Sequence, residues 1–211
     1  MIHGRFPAMF ERVCTTGILT GLLLVFAGAA PGEEQPVVSA PPQMIEAFEG
    51  DLQQILDSAP PHSTISFNRN ETRVLSTPLV VRKPLALRGL NLQLPEGLGS
   101  TSLVVVESED VSITDFALRG NGESVSQLAR APLMLIRAGQ FRIERGLFLD
   151  SSKDGIKVAG GGSQDRAIDG GVIRDIVGQR NIRDLVSISG GGKTGFPIRN
   201  ILVENVRASD S

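Results

Sequence analysis

Tryptophan and tyrosine are absent from this chain, aromatic residues make up 4% of its 211 positions, and it carries one cysteine and two histidines. Each shortage closes off a kind of chemistry. A single cysteine allows no intrachain disulfide, so stability in an oxidising compartment must come from a core or from repetition. Two histidines, His3 and His62, leave little room for a Ser-His-Asp triad, a Cys-His pair or a multi-histidine zinc site. A formal net charge of −2 offers no basic excess to neutralise a phosphate backbone, which argues against a nucleic-acid partner. The apolar stretch at 17–27 has 11 residues, whereas about 20 are needed to cross a bilayer. The lack of tryptophan and tyrosine also weakens a glycan-binding reading, because sugar rings usually stack on flat aromatic faces and the remaining Phe fall mostly at core-pattern positions.

Glycine, by contrast, is plentiful: 24 of 211 residues, against a usual share of about 7%. A glycine-rich, β-branched, aromatic-poor chain does not read as a helix bundle. Residues 1–30 have the form of a secretory signal peptide, with Arg5 and Arg12 ahead of the apolar 17–27 segment and Ala27-Gly28-Ala29 as a small-residue cleavage pattern. Its removal would take Cys14 and His3 with it and leave a secreted, periplasmic or extracellular chain without cysteine. Residues 31–43 are a Pro-rich linker, and 44–211 form the folded domain.

Within that domain, Ile45, Phe48, Leu52, Ile55 and Leu56 fall on one face of an expected helix at 44–57. Short apolar strands follow at 64–67, 79–81, 85–88, 90–94 and 103–106, bounded by Gly, Pro, Asn or Asp. Residues 103–118 then repeat as 133–148, and the paired-strand pattern returns at 155–173 and 185–206. Aligning Ile113, Ile143, Ile168 and Val203 gives spacings of 30, 25 and 35 residues. Self-similarity at such a period means a solenoid, and two or three strands per repeat fit one coil of a parallel β-helix. The opening helix would cap the N-terminal end. The pattern reaches Ser211 without a closing coil, so the C-terminal end is expected to be uncapped and the domain incomplete.

Thr64-Ile65-Ser66-Phe67, Pro84-Leu85-Ala86-Leu87-Arg88-Gly89 and Asn200-Ile201-Leu202-Val203-Glu204-Asn205 resemble the strands of secreted β-helix proteins of the pectate-lyase superfamily. The resemblance covers roughly residues 44–211 and implies an all-β, right-handed, single-stranded parallel β-helix. It is specific for fold and unspecific for activity.

Asp154-Gly155-Ile156-Lys157-Val158 and Asp184-Leu185-Val186-Ser187-Ile188 share the pattern D-x-[IV]-x-[IV], each followed by a small residue and three glycines. Asp154 and Asp184 should therefore occupy one position on adjacent coils, with Lys157 and Ser187 side by side. Two such carboxylates could form an acid/base pair or hold a cation, although Asp before a strand is also a good turn residue. The segment is similar to the polygalacturonase-type glycoside hydrolases, where these two positions are implied to activate water. It departs from them in Ser152-Lys153 and in Arg183, which stands where the implied general acid should be. An Arg cannot donate a proton to a leaving group.

Lys153, Lys157, Arg180, Arg183 and Lys193 cluster around the same coils, which favours an acidic, uronate-containing polysaccharide. Lys153, Lys157, Arg183 and Lys193 are the candidate substrate-binding residues. They equally fit a solvated charged face. Three functions thus stand open: a hydrolase using Asp154 and Asp184 without a resident cofactor, a lyase in which Ca2+ neutralises the uronate carboxylate, and a non-catalytic extracellular binding or structural protein. Gly190–Thr194 matches a phosphate loop superficially, and Asn70-Glu71-Thr72 is a glycosylation sequon only in a glycosylating host.

Overall fold

The structure, a computed structural model, describes residues 41–47, 50–98, 101–122, 130–160, 167–190 and 196–209. The expected signal peptide and most of the linker lie outside these residues. The described chain is a succession of strands with one helix: β1 (Met44–Ala47), α1 (Leu52–Ser58), β2 (Thr64–Phe67), β3 (Arg73–Val74), β4 (Leu79–Val81), β5 (Ala86–Arg88), β6 (Asn91–Gln93), β7 (Val104–Val106), β8 (Ser112–Arg119), β9 (Met134–Ile136), β10 (Phe141–Leu149), β11 (Ile156–Ala159), β12 (Ile168–Gln179), β13 (Val186–Ser189) and β14 (Ile198–Ser209). One sheet runs β1-β2-β5-β8-β10-β12-β14, with β6 joining it at β8 and carrying β3, and the other runs β4-β7-β9-β11-β13. All strand pairings among the described residues are parallel. The chain is a parallel β-solenoid, as the repeats led us to expect.

Stacking of like residues builds the core. Ile45, Ile65, Leu87, Ile113, Ile143, Ile173 and Val203 form one column, each paired with the next across a coil. From Ile65 to Ile173 its members are essentially inaccessible to solvent. Val81, Val106, Ile136, Val158 and Ile188 form a second column in the other sheet. Burying a side chain of this size contributes about 1.5–3 kcal/mol, so such columns supply what disulfides do not.

The register corrects the spacing read from the sequence. Ile143 pairs with Ile173, which in turn pairs with Val203, so the period is a constant 30 residues over these coils. Ile168 instead pairs with Ile198. Ile168 and Ile173 lie on one strand, β12, on either side of the corner made by αL Gly170 at φ 76°, and the first was aligned in place of the second.

The N-terminal expectation also needs correction. Met44–Ala47 is the strand β1, laid on β2, and the helix is confined to Leu52–Ser58. Residues 48–49, Phe48 among them, lie outside the described set. An unpaired edge on β2 offers the backbone of 44–47 a ladder of hydrogen bonds that outweighs a weak helical periodicity. Gly50, at φ 105°, then turns the chain, and Asp51 caps the helix by accepting from the backbone N–H groups of Gln53 at 2.8 Å and Gln54 at 3.4 Å. The helix does cover an edge, that of the second sheet. Val80 N–H donates to the Gln53 carboxamide oxygen at 2.8 Å, and the Gln53 amide donates to Val80 C=O at 3.0 Å. One side chain thus takes the place of a strand.

Corners are made by residues in the left-handed region. Gly89, Asp115, Arg145, Asp175 and Asn205 form one corner column, and Asp110, Gln140, Gly170 and Asn200 a second. Asp150 and Arg180 start a third. Asp and Asn tolerate this conformation best among residues with a Cβ, while each of the two Arg forks onto the Asp one coil away, Arg145 onto Asp115 and Arg180 onto Asp150, the latter at 2.6 and 3.1 Å. At the far end from β1, β13 and β14 are the last described strands, and Ile188, Leu202 and Val203 are exposed there.

Candidate functional site

Asp154 and Asp184 sit at equivalent places in stacked turns. Gly155 N–H donates to Asp184 C=O at 2.9 Å, Ile182 N–H to Ser151 C=O at 3.0 Å, and Arg183 N–H to Lys153 C=O at 3.0 Å. Ser151 Oγ donates to Asp154 C=O at 2.7 Å and stiffens the upper turn. Lys157 pairs with Ser187 on one side and Leu135 on the other, as the shared pattern requires.

The side chains, however, do not form an acid/base pair facing a cleft. Asp154 is 0% exposed. Its two carboxylate oxygens accept from Arg183 Nε at 2.7 Å and Nη2 at 2.6 Å, a bidentate fork. Arg183 Nε also lies 3.4 Å from the exposed Asp184 carboxylate. The hydrogen bond to Asp154, and then the charges of Asp154 and Asp184, raise the Arg183 guanidinium above its usual value despite some desolvation. Arg183 therefore bridges the two carboxylates. Lys153 and Lys157 are half-buried beside this coil, and Lys193 lies outside the described residues. Gly160 and Gly190 are described, but the remainder of each glycine triplet is not.

A second feature lies on the outer face of the first sheet, at the Asp115 corner column. There Arg145 forks onto Asp115, with Nε to Oδ1 at 2.9 Å and Nη2 to Oδ2 at 3.0 Å, while Arg88 Nε stands 3.4 Å away from Asp115 Oδ2. These cations, led by the Arg145 hydrogen bonds and joined by Arg69, hold the Asp115 carboxyl below its usual 3.8. Asp175 accepts a hydrogen bond from Asn205. On the neighbouring strands, Glu144, almost wholly buried, lies within 2.9 Å of Arg142, 3.5 Å of Arg145 and 3.9 Å of Arg174.

Beside the corner runs a groove. Outward-facing Asn91, Ala117, Leu147 and Val177 are stacked one coil apart and form its floor. Gln93, Arg119 and Leu149 form a parallel stripe two residues further along the same strands. Asn91 Nδ2 donates to Arg69 C=O at 3.2 Å and to Thr72 Oγ1 at 3.0 Å, which fixes the 68–72 loop as one wall. Gly89 makes room for that wall, since a Cβ there would meet Phe67 O at 2.6 Å and Arg69 Cγ at 2.9 Å. Hollows of about 370 Å³ and about 320 Å³ share Asn91, Ala117 and Leu147, and both fall in the lower part of the ~300–1,000 Å³ range of ligand sites. None of the residues lining this groove was among the candidate catalytic or substrate-binding residues of the sequence. The signal was present in the 30-residue offset that stacks Asp115, Arg145 and Asp175, three charged residues at successive corners.

Among the described residues no three His, Cys, Asp or Glu side chains come together as metal ligands. Nor, among the described residues, is any helix long and apolar enough to cross a membrane. A scan against models of known protein families finds no match to this chain. A search of curated proteins finds none either.

Proposed function

We propose that this chain is an exported β-solenoid that binds an acidic, uronate-containing glycan and does not cleave it at the Asp154–Asp184 coil. The observation that carries the non-catalytic half is the Asp154–Arg183 fork. A general base must reach a water or substrate proton within hydrogen-bond distance. The Asp154 carboxylate is buried, and each of its oxygens is already engaged by Arg183. Asp184 is left as a single exposed carboxylate, whereas hydrolysis with inversion needs two, about 6.5–9.5 Å apart with water between them. The acidic-glycan half rests on the surface arginines and lysines of successive coils and on the resemblance to secreted β-helix proteins.

The test is direct. Incubation with polygalacturonate should give retention in affinity electrophoresis, with neither new reducing ends nor unsaturated products. Release of product by the purified chain, lost in Asp184→Asn, would restore the hydrolase reading. Absence of binding to polygalacturonate and to other uronate polymers would remove the glycan reading altogether.

A further inference from the structure

Resting on the glycan reading, we infer that the binding surface is the outer groove beside the Asp115 corner, and not the Asp154 coil. Its two hollows are lined by three guanidinium groups, Arg69, Arg119 and Arg145, against two carboxylates, Asp115 and Asp175, and Arg88 stands 3.4 Å from Asp115. The carboxylates are committed: Asp115 to Arg145 and Arg88, Asp175 to Asn205. Arg69 and Arg119 differ. Among the described residues neither guanidinium makes a hydrogen bond or a closely approaching ion pair, although Arg69 is near enough to act on the Asp115 carboxyl. Both side chains are exposed. Arg69 stands at the Asp115 end of the strand segment 115–119 and Arg119 at its other end.

The groove therefore offers two free planar forks suited to bidentate capture of a carboxylate. Between them lie an apolar floor, Ala117, Leu147 and Val177, and the amide side chains of Asn91 and Gln93. That combination fits an oligosaccharide with carboxylates along its length: C–H faces rest on the floor, hydroxyls meet the amides, and carboxylates meet the arginines. A neutral glycan would leave both forks unpaired. At the Asp154 coil the corresponding fork is already filled by the protein's own carboxylate.

Calorimetric titration with oligogalacturonate separates the possibilities, with circular dichroism and thermal melts to show that each variant is folded. We expect the unmodified chain to bind, and Arg69→Ala/Arg119→Ala to weaken binding by roughly tenfold or more, one fork accounting for about that factor. Esterified oligogalacturonate, which has lost its charges, should bind no better to the unmodified chain than the acid does to the double variant. If the arginine variant binds as well as the unmodified chain while Lys153→Ala/Lys157→Ala does not, the groove is overturned and the glycan reading stands. If the unmodified chain binds no uronate oligomer, the glycan reading and the groove fall together.

Discussion

Asp154 and Arg183 illustrate how a residue's role depends on the coil above it. Removing the arginine leaves a carboxylate that is 0% exposed without its only side-chain donor among the described residues. Arg183→Ala should therefore destabilise the chain by about 1.5–3 kcal/mol in denaturant titration, and Arg183→Lys by less than Ala, since a point charge cannot reproduce the fork. A variant as stable as the parent would mean that Asp154 is hydrated or neutral. Asp115 makes the complementary case for pH. Its carboxyl is held below 3.8 in the folded chain, chiefly by the Arg145 hydrogen bonds, so the unfolded chain takes up the proton first as pH falls. The stabilisation is complete above about pH 5 and is lost as pH drops through the lowered value. Asp115→Asn should be less stable than the parent at neutral pH, and its acid limb should be shallower between pH 5 and 2. Identical acid limbs would show that the corner pair does not contribute. The shared D-x-[IV]-x-[IV] pattern made the register of Asp154 and Asp184 legible, but the target of Arg183 was not. A departure from a motif says what is missing, whereas the new partner depends on which turn stacks over it.

At the scale of elements, large and small residues alternate between coils. Phe116 pairs with Gly146, Phe141 with Gly171 and Phe148 with Gly178. The Phe116 and Phe141 rings fill the space that a Cβ at Gly146 or Gly171 would need, whereas a Cβ at Gly178 would meet Asn181 and Leu185; Phe116 meets Phe148 edge-on at 5.3 Å between centroids. A Cβ at Gly146 would lie 2.0 Å from the Phe116 ring. Gly146→Ala should accordingly cost about 1–3 kcal/mol by overpacking, and Phe116→Leu in the same chain should recover part of it. Lack of recovery would place the strain in the backbone instead. Phe116 and Gly146 fall within the ungapped repeat of 103–118 as 133–148, whereas the pairs Phe141–Gly171 and Phe148–Gly178 were hidden by an alignment that let the spacing drift beyond that repeat. The strands were legible because each short apolar run ends at Gly, Pro, Asn or Asp. β1 was not, because Met44–Ala47 has no strand pattern of its own and is extended only by the edge it meets.

For the molecule as a whole, the parallel solenoid was readable from repetition alone, while the outer groove was not, since it forms from outward residues that carry no periodic hydrophobic signal. Coils contact only their neighbours, so protection should vary along the axis. Amides of β8, β10 and β12, paired on both sides, should exchange with deuterium more slowly than those of β14, which among the described residues pairs only with β12. Uniform protection across all four strands would indicate all-or-none opening. The constant offset also bears on how the chain reaches this state. Every contact between these coils links residues about 30 apart, so each added coil closes a loop of one size onto a template already in place. That closure costs about 3 kcal/mol plus a constant, and the cost does not grow with the number of coils. Relative contact order consequently falls as the solenoid lengthens, and folding can run along the chain in the order in which coils become available.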